Sequence, residues 1–414
     1  MPETTTTHVI VGASLAGAKA AEALREEGFE GRIVLIGSES ELPYERPPLS
    51  KEYLRGEAPR EKARVHEDGF YESHDIELRT GTTATAIDTS TSEVELEGGE
   101  RLRYDRLLLA TGAEPRRLSI PGADLDGVHY LRELNDSDAL AALLAKGSGR
   151  VAVIGAGWIG SEVAASARTK GLDVALVEMA DVPLERVLGR EVGEIYADVH
   201  RQHGVDLHLG SGIEAFEGAG RVERVKLSDG AAIDCDFAVV GVGVVPRTEL
   251  AERAGLEIGN GIQVSKRLET SVAGVFAAGD VANAFHPFYG TKVRVEHWAN
   301  ALNQPATAAQ AMLGKEGVSY DRLPYFFSDQ YDVGMEYVGY ASDWDEVVIR
   351  GDASAPEFIA FWLKDGAVQA GMNVNVWDVV EPIKALIGSR QKVDVERLRD
   401  TGVPIEELAT AATG

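Results

Sequence analysis

A glycine turn between an apolar run and a helix-like run constrains this chain more than any other feature. Residues 151–162 read Val-Ala-Val-Ile-Gly-Ala-Gly-Trp-Ile-Gly-Ser-Glu, which puts Gly155, Gly157 and Gly160 in G-x-G-x-x-G spacing. One glycine makes the tight turn, one lets a pyrophosphate reach the backbone N–H groups at the positive end of the helix, and one lets helix and strand pack closely. A degraded copy lies near the N-terminus, Val9-Ile10-Val11-Gly12-Ala13-Ser14-Leu15-Ala16-Gly17, with Ser14 in place of the middle glycine. One such motif is weak evidence. Two in one chain suggest two dinucleotides held by one protein, the arrangement for passing electrons between cofactors.

The flanks agree with this reading. Residues 8–12 predict a strand, the small residues from about Gly17 to Glu27 a helix ended by Gly28, and Arg32–Ile36 a second strand. Val151–Ile154, Trp158–Lys170 and Val174–Val177 repeat the plan, with Gly171 ending the helix. A length of 414 residues calls for two or three domains. From about 321 the character changes: aromatics become dense, and strand-like segments at 346–350 and 357–363 end at Gly351 and at Asp365-Gly366. A C-terminal α+β domain with an antiparallel sheet is expected there.

Composition narrows the function. With 44% hydrophobic and 26% charged residues the chain reads as a soluble globular protein. The net charge of −26 disfavours nucleic acid and anionic membranes as partners. No apolar stretch approaches a membrane span, and MPETTTTHVIVG lacks the basic-then-apolar order of a signal peptide, so a cytoplasmic protein is expected. Cys235 is the one cysteine, which excludes an internal disulfide, a C-x-x-C redox pair and a cysteine-based iron–sulfur or zinc site; it reads as structural. His200 and His203 share a helical face without a completing carboxylate, and no metal site is expected. Nothing in the sequence speaks to oligomeric state.

In the second motif the acidic residue expected about 20 positions on, at the end of the next strand, is Glu178. A carboxylate there accepts hydrogen bonds from ribose hydroxyls and repels a 2′-phosphate. No arginine follows in Met179-Ala180-Asp181, so NAD(H) is predicted over NADP(H). In the first motif the strand runs into Gly37-Ser38-Glu39, and Ser38 or Glu39 is the candidate for a ribose.

Further motifs carry a resemblance over nearly the whole chain. They are Leu42-Pro43-Tyr44-Glu45-Arg46-Pro47-Pro48-Leu49-Ser50-Lys51, Ala110-Thr111-Gly112, Glu162 after the second glycine motif, Gly241-Val242-Gly243, Ala278-Gly279-Asp280 and Phe327-Ser328-Asp329-Gln330-Tyr331. The chain resembles the two-dinucleotide flavoprotein reductases of the glutathione-reductase superfamily. It is more closely similar to the FAD- and NAD-dependent ferredoxin reductases of oxygenase systems, of the putidaredoxin reductase and biphenyl dioxygenase ferredoxin reductase type. The resemblance implies an α/β fold of two Rossmann-like domains plus the C-terminal α+β domain. The FAD domain is split, 1–113 and 247–320, the NAD domain is 114–246, and the C-terminal domain is 321–414.

It also implies site residues. FAD would meet Gly12, Ser14, Ala16 and Gly17, with Ser38 or Glu39 at the ribose. Ala84, Thr111, Gly112 and Arg132 match further positions near it. Gly279 and Asp280 would face its ribityl chain, and Glu296, His297 and the backbone of Trp298 its pyrimidine end. NAD would meet Gly155, Gly157, Trp158, Ile159, Gly160, Glu178 and Gly243. Lys51, paired with Glu162, is the expected catalytic pair, placing positive charge where reduced flavin is negative. Hydride transfer to flavin needs no general acid or base, so Glu45 and Arg46 read as structural.

Superfamily disulfide reductases pass electrons to a cysteine pair beside the flavin; with Cys235 alone this chain needs an external acceptor. The resemblance implies a small iron–sulfur ferredoxin serving a cytochrome P450 or a ring-hydroxylating oxygenase, with NADH as donor. Such ferredoxins are acidic, so docking requires a local basic patch. Between Lys384 and Arg399 five positive residues (Lys384, Arg390, Lys392, Arg397, Arg399) stand against Asp394 and Glu396. Lys384, Arg390 and Lys392 are the docking candidates. Tyr325, Phe326, Phe327 and Tyr331 form an aromatic band, which by analogy lies near the flavin edge and by frequency is core. Ala306 stands where a relative has a basic docking residue. The rival readings are a rubredoxin reductase, an NADH oxidase, or an NADH-sensing interaction flavoprotein like apoptosis-inducing factor.

Overall fold

The computed structural model describes residues 6–408, and the extreme ends of the expected first and last domains lie outside them. The chain forms two compact units. The first takes in residues up to Arg46, Arg60–Glu114 and Val244–Arg322; the second takes in Pro47–Pro59, Pro115–Gly243 and the chain from Leu323.

The first unit is built on a five-stranded parallel sheet in the order Val275–Ala277, Arg106–Leu109, Thr7–Val11, Arg32–Ile36, Ile76–Arg79. Its inner strands are continuous apolar runs because both faces are covered: Val9, Ile10, Ile33–Leu35 and Leu107–Leu109 have no solvent exposure. The helix Leu15–Glu26 follows the first strand, starting two residues earlier than the sequence suggested. Its alanines 18, 20 and 21 are fully buried, which lets the helix Trp298–Met312 pack closely against it.

The second unit repeats the plan. Its parallel sheet runs Asp206–His208, Asp173–Val177, Arg150–Ile154, Phe237–Val240, Val128–Tyr130. Strand alternation sorts its residues to two cores, Val151 and Val153 on one face and Ala152 and Ile154 on the other. A separate antiparallel sheet orders Tyr325–Gln330, Val333–Gly339, Ala367–Val374, Glu357–Lys364, Glu346–Asp352. The strand expected to stop at Gly351 runs on through it, and Gly351 pairs with Phe358 in the ladder. A side chain there would meet the Glu357 carbonyl at 2.7 Å, so the glycine serves a close approach rather than a chain end.

The helix Glu185–Gln202 is broken at Gly189 (φ 78°, ψ 177°), a conformation open essentially to glycine. Leu188, just before the break, accepts the indole N–H of Trp362 at 3.0 Å from within the antiparallel sheet's core. The segment Pro47–Pro59 is tied to helices of this unit by side-chain hydroxyls: Ser137 donates to the Leu49 carbonyl at 2.9 Å and Ser166 to the Ser50 carbonyl at 2.7 Å.

Arg350 holds the last turns of the described chain without a carboxylate. The residue is 8% exposed, and its guanidinium donates to the carbonyls of Leu398 (3.2 Å), Asp400 (2.6 Å), Thr401 (3.4 Å) and Val403 (2.6 Å). Arg350→Met is expected to cost about 2 kcal/mol by orphaning these acceptors, with faster amide exchange confined to the region around 398–403. Unchanged exchange there would show that the segment is held by other contacts.

Candidate active site

In a parallel sheet the turns at the strands' carboxyl ends are where the backbone is free to meet a ligand. In the first unit Gly12, Ser38, Glu39, Thr111, Gly112, Gly279 and Asp280 all follow the carboxyl ends of neighbouring parallel strands. The glycines are steric necessities. A Cβ on Gly12 (φ 113°) would lie 2.1 Å from the Ala110 carbonyl, and one on Gly17 would lie 1.8 Å from the carbonyl of Gly12. Ser14 is the residue before the first helix, yet its side chain makes no capping hydrogen bond; its hydroxyl leans 3.4 Å from the Tyr44 carbonyl.

The other expected first-unit residues are engaged as follows. Glu39 accepts from the Tyr44 hydroxyl and from Arg46 (2.9 Å), while Ser38 is exposed. Thr111 donates to the Arg247 carbonyl at 2.8 Å. Ala16 and Ala84 are buried, Ala16 within 3.0 Å of where a Cβ on Gly279 would stand. The N–H of Gly279 is held by Gln304 at 2.8 Å, and the Asp280 carbonyl by Arg294 at 3.1 Å; Arg294 also grips Glu296 at 2.6 Å. Sequence reading missed Gln304 and Arg294, whose roles depend on contacts far along the chain. His297 stands before the helix 298–312, and burial lowers its imidazole to about 4 against the pull of Asp280, so it is neutral at pH 7. The Trp298 indole donates to Glu45 at 3.0 Å, and burial raises that carboxyl above its usual range. Glu45 and Arg46 therefore have structural partners. Arg132 and Lys51 belong to the second unit.

In the second unit the three glycines divide their work. A Cβ on Gly155 (φ 98°) would stand 2.5 Å from the Gly241 carbonyl, and one on Gly160 would stand 1.9 Å from the Gly155 carbonyl. Gly157, by contrast, has open space before it, as does Gly243. The helix Trp158–Thr169 that Gly157 opens has no side-chain cap and no acid in its first turn. An uncapped helix start with positive potential and room at the middle glycine fits a pyrophosphate. Ile159, one residue into the helix, is 44% exposed, whereas Trp158 packs edge-on against Phe326, 4.9 Å between ring centres. Glu178 accepts the N–H of Ala156 at 2.7 Å on one oxygen and that of Ala180 at 3.0 Å on the other. Both bonds orient the carboxylate and leave each oxygen a further acceptor site. Although Met179-Ala180-Asp181 holds no arginine, the fold brings Arg190 to Asp181 at 3.2 Å.

Lys51 and Glu162 meet in the second unit, 2.9 Å apart, with side chains only 7% and 3% exposed. Around Glu162 the hydroxyls of Ser50 (2.5 Å) and Ser328 (2.7 Å) each donate to one carboxylate oxygen. Lys51 also donates to the Pro47 carbonyl at 3.3 Å and lies 5.5 Å from the centre of the Phe327 ring. Ser50 and Ser328 sit inside the two most specific motifs, but their bonds to Glu162 were not legible there.

The aromatic band does not survive as one surface. The strand Tyr325–Gln330 turns alternate residues to opposite faces: Phe326, Ser328 and Gln330 are buried, while Tyr325, Phe327 and Asp329 point the other way. Phe326 is core between Trp158 and Tyr337. Tyr331 bonds His200 at 3.0 Å and stacks on His203, which gives both histidines a packing role. Of the docking candidates, Lys384 pairs with Glu381 at 2.6 Å, and Arg390 and Lys392 are exposed just beyond the helix Val380–Ser389. Arg399 pairs with Glu346, which trims the local positive excess.

The fold and these turns define a two-dinucleotide reductase. Residues 6–305 match the pyridine nucleotide-disulphide oxidoreductase family and residues 325–409 the reductase C-terminal family; the chain belongs to the pyridine nucleotide-disulphide oxidoreductases. It is 40% identical over 409 residues to the 5,5′-dehydrodivanillate O-demethylase ferredoxin reductase subunit of Sphingobium sp. (strain NBRC 103272 / SYK-6), covering 98% of each chain. It is 37% identical to putidaredoxin reductase of Pseudomonas putida, over 98% of this chain and 97% of the other. It superposes with a TM-score of 0.94 on the reductase in the covalent putidaredoxin reductase–putidaredoxin complex, at 36% identity and 99% coverage of both. The ferredoxin reductase for the CYP199A2 system of Rhodopseudomonas palustris matches with a TM-score of 0.93 at 36% identity, over 97% of this chain and 99% of that one.

Removing one member of a buried ion pair strands the other's charge. Lys51→Met is expected to destabilise the second unit by about 3–5 kcal/mol, and Glu162→Gln added to it to restore most of that loss. Calorimetric melting of the single and double variants checks this; a double variant no more stable than Lys51→Met would refute the coupling.

Proposed function

We propose that this chain is an NADH-dependent flavoprotein ferredoxin reductase, a ferredoxin–NAD(+) reductase. Bound FAD would supply the exchange between a two-electron hydride donor, NADH, and a one-electron acceptor, here an iron–sulfur ferredoxin that feeds a cytochrome P450 or a ring-hydroxylating oxygenase. Relatives that span nearly the whole chain carry names of this kind. The observation that carries the reading is the Lys51–Glu162 pair, a buried cation fixed by a carboxylate that two serines hold in place. Thiol chemistry has no support: Cys235 is the chain's one cysteine, and burial pushes its thiol up to about 11.

The proposed division is an FAD domain of 1–113 and 247–320, an NAD domain of 114–246 and a C-terminal domain from 321. Two separate five-stranded parallel sheets and a five-stranded antiparallel sheet support it. For FAD, the Gly12–Gly17 turn would hold the pyrophosphate and Glu39, already oriented by Tyr44 and Arg46, the ribose. Gly279 and Asp280, fixed by Gln304 and Arg294, would bind the ribityl chain. Arg132, Ala84, Thr111, Gly112, Glu296, His297 and the Trp298 backbone would complete the site. For NADH, Gly155, Gly157 and Gly160 would take the pyrophosphate and Glu178 the adenosine ribose. Trp158, Ile159 and Gly243 would border it. Lys51 would stabilise negative charge on the reduced flavin, and Glu162 would keep that lysine in place. Among the described residues no helix is long and apolar enough to cross a membrane; we place the protein in the cytoplasm, where NADH is the working reductant.

Stopped-flow mixing of the purified yellow protein with NADH tests the first half-reaction. Lys51→Ala is expected to slow flavin reduction by about tenfold or more, the scale of losing one preorganised charge; unchanged kinetics and FAD content would remove the role. Mixing the reduced protein with ferredoxin, rubredoxin or oxygen tests the second, and the fastest turnover is expected with ferredoxin. Faster turnover with rubredoxin or oxygen, or slow turnover with all three, would favour one of the rival readings.

Docking is proposed at Lys384, Arg390 and Lys392. Charge reversal at Lys384 and Arg390 is expected to raise KM for ferredoxin several-fold, in a salt-dependent way, while NADH-to-ferricyanide activity stays intact. Equal loss of both activities would reject this surface.

A further inference from the structure

We propose that Asp181 is a specificity residue: it occupies Arg190, the cation that would otherwise hold the 2′-phosphate of NADPH. The proposal rests on the reading of Glu178 as the adenosine-ribose ligand and extends it to a side chain that touches no ribose hydroxyl. The Ala180 N–H bonds back to Glu178 at 3.0 Å, so Met179-Ala180-Asp181 wraps around the carboxylate. Three residues reach at most about 10 Å even when extended, so Asp181 stands at the edge of any ribose bound there.

Arg190 arrives from the other side. Gly189 breaks its helix immediately before it, and a Cβ on Gly189 would press the Trp344 ring at 3.0 Å, so the direction in which the chain delivers Arg190 is fixed by packing. The guanidinium then lies between two carboxylates, Asp181 at 3.2 Å and Glu194 at 3.1 Å. Glu185 holds the loop from beneath by accepting the Asp181 N–H at 3.0 Å. A 2′-phosphate brings close to two negative charges and seeks an arginine fork. Here it would meet Glu178, Asp181 and an arginine already neutralised on both sides. NADH, which presents two hydroxyls instead, meets two acceptor oxygens and needs no cation.

Exposure makes the arrangement switchable. Asp181 and Arg190 side chains are 64% and 62% exposed, so their replacement leaves the core untouched, and an exposed ion pair is weak enough for a phosphate to outcompete once one carboxylate is gone. The test is calorimetric binding of 2′,5′-ADP, 5′-AMP and NADH to the FAD-loaded protein. The proteins compared are wild type, Glu178→Ser, Glu178→Ser/Asp181→Ser, and the triple variant that adds Arg190→Ala. Glu178→Ser alone is expected to improve 2′,5′-ADP affinity only a few-fold. Adding Asp181→Ser should give about tenfold more, the scale of one freed arginine–phosphate contact, and Arg190→Ala should erase that second gain without changing 5′-AMP binding. A double variant no better than Glu178→Ser, or a gain that survives Arg190→Ala, overturns the proposal. Wild-type protein that binds neither 5′-AMP nor NADH would overturn the dinucleotide reading itself, and this proposal with it.

Discussion

A lysine and a glutamate buried at 2.9 Å organise much of the second unit. Burying two charges is costly, and apolar replacements of a buried pair are often as stable, so stability alone does not account for one. What this pair has is a set of polar partners: the glutamate takes two serine hydroxyls and the lysine takes a backbone carbonyl as well as the glutamate. The pair and its two serines come from three distant stretches of chain, the Pro-Pro-Leu-Ser-Lys segment, the helix after the glycine turn and the first strand of the antiparallel sheet. The pair therefore fixes three elements to one another around a single positive charge. A cation held this firmly does not reorganise when negative charge forms nearby, which is the condition for electrostatic help to a charge-accepting cofactor.

Local backbone demands were the most legible part of the sequence. A glycine turn is set by sterics within a few residues, so both parallel units and their strand–helix–strand order follow from pattern alone. Glu178 was legible for the same reason, since the helix length between the strands fixes its offset. Lys51 and Glu162 were reachable only through resemblance, because no spacing rule links residues so far apart. Ser50 and Ser328 sat in plain sight within recognised strings without revealing that they share one carboxylate. Arg190 was invisible to a search that stopped at Asp181, because its approach depends on a helix break at Gly189.

The glycines show how shape alone separates packing from binding. At Gly12, Gly17, Gly155 and Gly160 a side chain would strike a backbone carbonyl within 2.5 Å, so these positions are closed by the protein itself. At Gly157 and Gly243 there is nothing to strike. Ser14 occupies the position of the first motif that corresponds to open Gly157, which is why a serine is tolerated there when none would be at Gly12 or Gly17. The motif degraded at the one place where the fold leaves room.

The strand Tyr325–Gln330 carries this economy further. Its pleat sends Phe326 into the aromatic core with Trp158, which opens the helix after the glycine turn, and sends Phe327 to the lysine; Ser328, back on the buried face, reaches the glutamate. A one-residue slip of register would exchange all three roles at once. The six paired positions with the strand Val333–Gly339, from Tyr325 with Val338 to Gln330 with Val333, forbid that slip. The position of a buried charge thus depends on a hairpin register, and the C-terminal sheet is part of what holds Lys51 and Glu162 in place even though it contributes no dinucleotide motif.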